Sequence, residues 1–139
     1  MYQERILAID FGSKRVGLAL TDPLGLTVQP LPYLKNKGTV GLLACLQGLV
    51  HEKGVEKIVL GLPLNLDGSL GIKAREYQNL ARKIKDACRV PVELEDESFT
   101  SREADQILIE EFQVSRKKRK EARDSLAACL ILKSYLSRL

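Results

Sequence analysis

The chain has 139 residues, of which 45% are hydrophobic and 29% charged, with a net charge of +4 and a pI near 9.0. That length fits one domain, 1–139, able to bury roughly 68% of the surface its unfolded form exposes without a disulfide or structural metal. One histidine and three scattered cysteines exclude a zinc site of the usual kind, and the basic balance favours an acidic partner such as nucleic acid.

In chain order, residues 5–11 and 15–21 read as two strands joined by the turn Gly12-Ser13-Lys14. Ile6, Leu7, Ala8, Ile9 and Phe11 are apolar without alternation, which predicts a central strand covered on both faces. Asp10 interrupts that run near its exit. An ionised side chain there is costly unless it is paired, holds a cation, or caps the turn. Pro23 ends the second strand. Residues 28–33 read as a third strand, placed at a sheet edge by Pro30 and Pro32.

Residues 38–53 read as a helix with Val40, Leu43, Leu46, Leu49 and Val50 on one stripe and Gly54 as its C-cap. Ile58-Val59-Leu60 mark a buried parallel strand over 56–62, and a loop with Asn65, Asp67 and Gly68 follows. Ser69 caps a helix over 71–88, with Tyr77, Leu80, Ala81, Ile84 and Cys88 turned inward. A strand over 90–95 leads to Asp96-Glu97-Ser98 just beyond its end. A capped helix from Thr100 or Ser101 comes next, then the basic segment 115–120 as a loop or helix start, then a last helix over 121–136. Cys45, Cys88 and Cys129 fall in helical apolar patterns and read as reduced core thiols. The N-terminus lacks a signal-peptide pattern and no apolar run reaches transmembrane length, which places the expected protein in the cytoplasm, away from membranes. Three strands followed by helix-alternating strands predict an α/β fold, a mixed sheet with helices on its faces.

Three acids stand at element ends: Asp10, Glu97 and Asp124. In open α/β sheets the functional crevice lies beyond the carboxyl ends of the strands, where these acids can meet. Converging carboxylates repel and need a shared proton or a cation; hard oxygen ligands suit Mg²⁺ or Mn²⁺, and two such ions support phosphodiester hydrolysis. The plain alternatives are a first-turn acid on a helix dipole for Asp124 and a solvated acidic run for Glu97. Asp96 is a reserve for Glu97, because it shares strand parity with Val92 and Leu94. Arg116, Lys117, Lys118 and Arg119 read either as a solvated charge run or as a phosphate clamp beside the acids, and Lys14 and Arg15 extend the same positive rim. Lys73 and Arg75 are weaker candidates. With aromatic residues at 5%, recognition by base stacking is not suggested.

Four blocks carry a family resemblance: 10–17 (DFGSKRVG), 61–68 (GLPLNLDG), 96–101 (DESFTS) and 124–128 (DSLAA). Together they resemble the YqgF family, described as Holliday-junction-resolvase-like proteins and as candidate pre-16S rRNA nucleases. The resemblance implies a ribonuclease-H-like fold with a five-stranded mixed sheet, and a metal-dependent endonuclease that matures the 5′ end of small-subunit ribosomal RNA. It makes Asp10, Glu97 and Asp124 the acidic triad for Mg²⁺ or Mn²⁺, and places Asn65 in a substrate-positioning loop. Thr100 keeps a hydroxyl of the third block, whereas Ser98 stands where the family usually has arginine, losing a planar phosphate contact. Precursor rRNA is favoured over branched DNA as partner, with the small ribosomal subunit as a further partner and the chain a monomer or homodimer. The competing readings are a junction resolvase, which needs a dimer to cut two strands, a non-catalytic ribosome- or RNA-binding module, and an ATP-binding fold that needs a second domain this chain is too short to hold.

Overall fold

The computed structural model describes residues 4–24, 27–63, 73–97 and 116–139. Five strands form one sheet: β1 (Ile6–Phe11), β2 (Arg15–Thr21), β3 (Val28–Lys35), β4 (Lys57–Pro63) and β5 (Val92–Glu97). The order is β3-β2-β1-β4-β5. β1 pairs antiparallel with β2, and β2 with β3, whereas β1 with β4 and β4 with β5 are parallel. Helices α1 (Thr39–Lys53) and α2 (Lys73–Cys88) cover one face, and α3 (Arg116–Ser137) covers the other.

The unalternated apolar runs explain this layering. Leu7 and Ile9 of β1, with Ile58 and Leu60 of β4, enter the core beneath α1 and α2. Ile6, Ala8 and Val59 enter a second core beneath Ala128, Cys129, Ile131, Leu132 and Tyr135 of α3. Each large aliphatic side chain fully buried this way contributes about 1.5–3 kcal/mol. β3 lies at an edge, as Pro30 and Pro32 require.

α1 ends as its sequence demands. Gly54 adopts a left-handed conformation (φ 66°), and the N–H of Val55 donates to the Val50 carbonyl at 3.0 Å. Its buried stripe differs from the expected one. Leu42 and Leu46 are buried, Leu43, Leu49 and Val50 are partly covered, and Val40 is 85% exposed. Val40 lies about 200° round the helix from buried Leu42, on the side turned away from the sheet. Cys45 is also exposed, so only Cys88 and Cys129 are core thiols. The Gln47 side-chain amide donates to the Ala87 carbonyl at 2.8 Å and ties α1 to α2.

β5 runs from Val92 to Glu97, two residues later than expected. Pro91 has no N–H to give; its carbonyl accepts from Ile58 N–H at 2.9 Å, and the parallel register then continues from Ile58–Val92 to Pro63–Glu97. Glu97 is therefore the last residue of the strand and not a loop residue beyond it. The basic segment 116–120 is the start of α3 itself. The expected helix after Thr100 lies outside the described residues.

α3 is fixed to the sheet near its C-terminal end and again at mid-length. At its C-terminal end Lys57 Nζ donates to the Tyr135 hydroxyl at 3.0 Å, and that hydroxyl donates to Glu93. Hydrogen bonding to Tyr135 raises the Lys57 pKa, while burial and then the Glu93 contact raise that of Tyr135. Further forward, the Ser125 hydroxyl donates to the Leu31 carbonyl at 2.6 Å and accepts from Leu18 N–H at 3.3 Å. Leu18 and Leu31 flank a bulge where Pro32 and Tyr33 of β3 together stand opposite Gly17 of β2.

Candidate nuclease site

Parallel pairing brings the carboxyl ends of β1, β4 and β5 to one edge of the sheet. Asp10, half-buried, is the penultimate residue of β1. It has the parity of Ile6 and Ala8, so it belongs to the face that α3 covers. Its cross-strand partner on β2 is Gly17. On β4, the residue one step past the Ile9–Leu60 pair is Gly61. Asp10 thus sits between two strand positions without side chains, Gly17 and Gly61.

The register also separates Glu97 from Asp96. Glu93 and Glu95 reach α3: the first accepts from Tyr135, and the second from Arg138 Nη2 at 2.6 Å. Glu97 has their parity and therefore a position on the Asp10 face. Asp96 has the parity of Val92 and Leu94, which pack against the α1–α2 core. Apolar parity misleads here because both faces of the sheet are covered. Two interstrand steps, roughly 10 Å, separate the β1 and β5 backbones at this edge.

Asp124 is the ninth residue of α3, two turns past Arg116, and the first turn holds no acid. The first-turn reading of Asp124 is therefore excluded. Counting back in helical steps from Tyr135, Ile131 and Ala128, all buried against the sheet, the next position on that stripe is 124. The neighbouring Ser125 anchors this turn to β2 and β3. The fold thus puts position 124 on the same face as Asp10 and position 97.

Lys14 and Arg15 follow Asp10 in the exposed β1–β2 turn. This turn is held from outside. The Asn36 side-chain amide donates to the Gly12 carbonyl at 2.8 Å, and Asn36 N–H donates to the Lys14 carbonyl at 2.9 Å. The Tyr77 hydroxyl donates to the Phe11 carbonyl at 3.2 Å, with the two rings edge to face. A Cβ on Gly12 would stand 2.4 Å from the Arg15 carbonyl oxygen, so only glycine fits. Arg116, Lys117, Lys118 and Arg119 occupy the first turns of α3, and Arg75 is exposed on α2, which begins at Lys73. Asn65, Ser98 and Thr100 lie outside the described residues.

Sequence reasoning missed Gly17 and Gly61, whose meaning depends on pairing across strands. It also missed the supports Asn36, Tyr77 and Ser125, and the salt bridge that neutralises Glu95, whose side chain is 5% exposed. Among the described residues no three His, Cys, Asp or Glu side chains gather into a metal-sized cluster. The donors at positions 10, 97 and 124 are all carboxylates, a set that fits a hard divalent cation.

The model of the family described as "RuvX: Holliday junction resolvase" matches residues 4–138. The chain belongs to the RuvX family. This is the family that the YqgF resemblance indicated, and its members make the chain a nuclease by descent. Among RuvX relatives, a protein of Syntrophomonas wolfei named "Putative pre-16S rRNA nuclease" is 47% identical over 132 residues, covering 95% of this chain and 93% of its own. A Streptococcus mutans protein of the same name is 44% identical, covering 97% and 99%. Among solved structures, the fowlpox virus Holliday junction resolvase superposes with a TM-score of 0.62 at 11% identity, covering 97% of this chain and 99% of its own. RuvC of Thermus thermophilus bound to a Holliday junction gives 0.55 at 16%, covering 98% and 96%. These likenesses establish the ribonuclease-H-like fold. No helix among the described residues is long and apolar enough to cross a membrane.

Proposed function

We propose that this chain is a cytoplasmic endonuclease that hydrolyses precursor 16S rRNA near its mature 5′ end, using Asp10, Glu97 and Asp124 to hold Mg²⁺ or Mn²⁺. The observation that carries this reading is Asp10 at the exit of a central strand, between Gly17 and Gly61, on the face shared by positions 97 and 124. Asp10, Glu97 and Asp124 would hold the divalent cations, which would supply charge neutralisation at the scissile phosphate and make a water easier to deprotonate for attack. The chain's own residues do the rest. Gly17 and Gly61 bring no side chain of their own between Asp10 and a phosphate. Lys14 and Arg15, beside a turn clamped by Asn36 and Tyr77, lend positive charge to the path of the neighbouring backbone. Arg116, Lys117, Lys118 and Arg119 occupy the first turns of α3, where the positive end of the helix dipole adds to their attraction for an anion. A nucleic-acid backbone is such an anion, and Asn65 and Thr100 are assigned to its positioning.

RNA is preferred to branched DNA because relatives at 41–47% identity bear the rRNA nuclease name, whereas the junction-bound neighbour lies at 16%. A cleavage panel of 5′-extended precursor 16S rRNA, unstructured RNA and a four-way DNA junction tests the choice. Specific cutting of the rRNA leader is expected, with the small ribosomal subunit as a potentiating partner. Exclusive cutting of the junction by a homodimer would replace this reading with the resolvase one. RNA binding without cleavage of any substrate would leave only a binding module.

A further inference from the structure

The β3 bulge brings a tyrosine to the site face. Leu31 and Leu34 of β3 both pack against the α1–α2 core, so Tyr33, next to Leu34, emerges on the opposite face. It stands opposite Gly17, which in turn stands opposite Asp10. Tyr33 and Asp10 therefore share one row of the sheet, roughly 10 Å apart at the backbone, with Gly17 as the strand residue between them. Arg15 lies over the Tyr33 ring, 5.1 Å from its centroid. Around this pair Lys14, Lys35 and Lys37 are exposed, and among the described residues no ion pair involves any of the three. Arg15 and Lys35 are direct cross-strand partners, which adds a further positive charge beside the pair.

We propose that the Arg15–Tyr33 stack is a platform for an unpaired nucleotide flanking the scissile phosphate, and that the substrate is single-stranded beside the cut. The inference rests on the nuclease reading for the position of the cut. The physical reason is geometric. Tyr33 holds the Arg15 guanidinium over its ring, and a planar cation kept there is a surface on which a base can stack. A base inside a continuous duplex has its faces occupied by its neighbours; an unpaired base has them free. The lysines carry the flanking phosphates without reading sequence.

The test measures binding in the Asp10→Asn background, so that no substrate is cut. Fluorescent 12-nucleotide single-stranded RNA, the same sequence as DNA, and the RNA duplex are titrated against the parent, Arg15→Lys, Tyr33→Ala and Tyr33→Phe. Arg15→Lys keeps the charge and removes the plane, so it should weaken single-strand binding roughly 5-fold or more while duplex binding is unchanged. Tyr33→Ala should do the same and Tyr33→Phe should restore it. The RNA and DNA strands together show whether the ribose is read. Single-strand binding by Arg15→Lys equal to the parent, or equal losses for strand and duplex, would overturn the proposal, because charge alone would then suffice. Arg15→Lys is a surface change, so its result decides the matter even if Tyr33→Ala disturbs the edge strand. Wild-type cleavage is read separately. A protein that stacks a strand through Arg15 but cuts nothing refutes the nuclease reading, whereas one that cuts with no strand preference refutes the platform.

Discussion

Ser125→Ala isolates the device that seats α3 over the site. The Ser125 hydroxyl, buried at 1% exposure, bonds the Leu31 carbonyl at 2.6 Å and the Leu18 N–H at 3.3 Å. The first bond is short and the second long, so they are unequal. At about 0.5–1.5 kcal/mol per net hydrogen bond, alanine should cost about 1–3 kcal/mol. The cavity left by one oxygen adds little. For a domain of this size each kcal/mol lowers Tm by about 4 °C, so the transition should fall by about 4–12 °C. Urea unfolding should show a lower midpoint at an unchanged m-value, since the surface exposed on unfolding is the same. Because Ser125 adjoins Asp124, cleavage should fall by more than the unfolded fraction accounts for. A loss below about 0.5 kcal/mol would refute the reasoning, showing that Leu18 and Leu31 satisfy one another across the bulge and that Ser125 only fills space.

Gly12→Ala drives a Cβ to 2.4 Å from the Arg15 carbonyl, so the turn must move; activity should drop with the fold retained, as read by cleavage rate beside circular dichroism. Arg138→Ala leaves the Glu95 carboxylate, 5% exposed, without its partner. Since the arginine itself is 60% exposed, the cost should be about 1–3 kcal/mol rather than that of a fully buried pair; a null effect in urea melts would show Glu95 solvated by other means. Burial pushes the Cys129 thiol from 9.0 up to about 12. A raised folded-state pKa means that its stabilising share is intact below pH 9 and lost as pH climbs from 9 towards 12, by up to about 4 kcal/mol. Cys129→Ala should flatten that part of the stability–pH curve, and an unchanged alkaline slope would contradict the assignment. Lys57 and Tyr135, also raised, act in the same direction and remain in the variant.

Much of the fold was legible because it rests on local chemistry. The unbroken apolar run of β1 announces a strand covered on both sides, Pro30 and Pro32 announce an edge, and Gly54 announces a left-handed cap. Errors arose where a neighbour decides. Val40 and Leu42 lie about 200° apart on α1, and it is the Leu42 side that meets the sheet. Pro91 delays β5, and that delay carries Glu97 into the strand. The site was legible as residue types at element ends, since Asp10 is conspicuous in an apolar strand. Its surroundings were not. Gly17 and Gly61 gain meaning only when placed on either side of Asp10, and Tyr33 reaches that face only because β3 bulges. A sparse aromatic content argues against stacking, and the proposed platform asks for one tyrosine only, Tyr33, in the row of Asp10.

The central claim is that Asp10 holds a catalytic divalent cation for strand cleavage. Its most direct test is the cleavage of 5′-extended precursor 16S rRNA by wild type and Asp10→Asn, with and without Mg²⁺, alongside thermal melts of both proteins. Cleavage that needs Mg²⁺ and falls by at least about 100-fold in Asp10→Asn, with the melting transition preserved, is the predicted result. Undiminished Mg²⁺-dependent cutting by Asp10→Asn would contradict it.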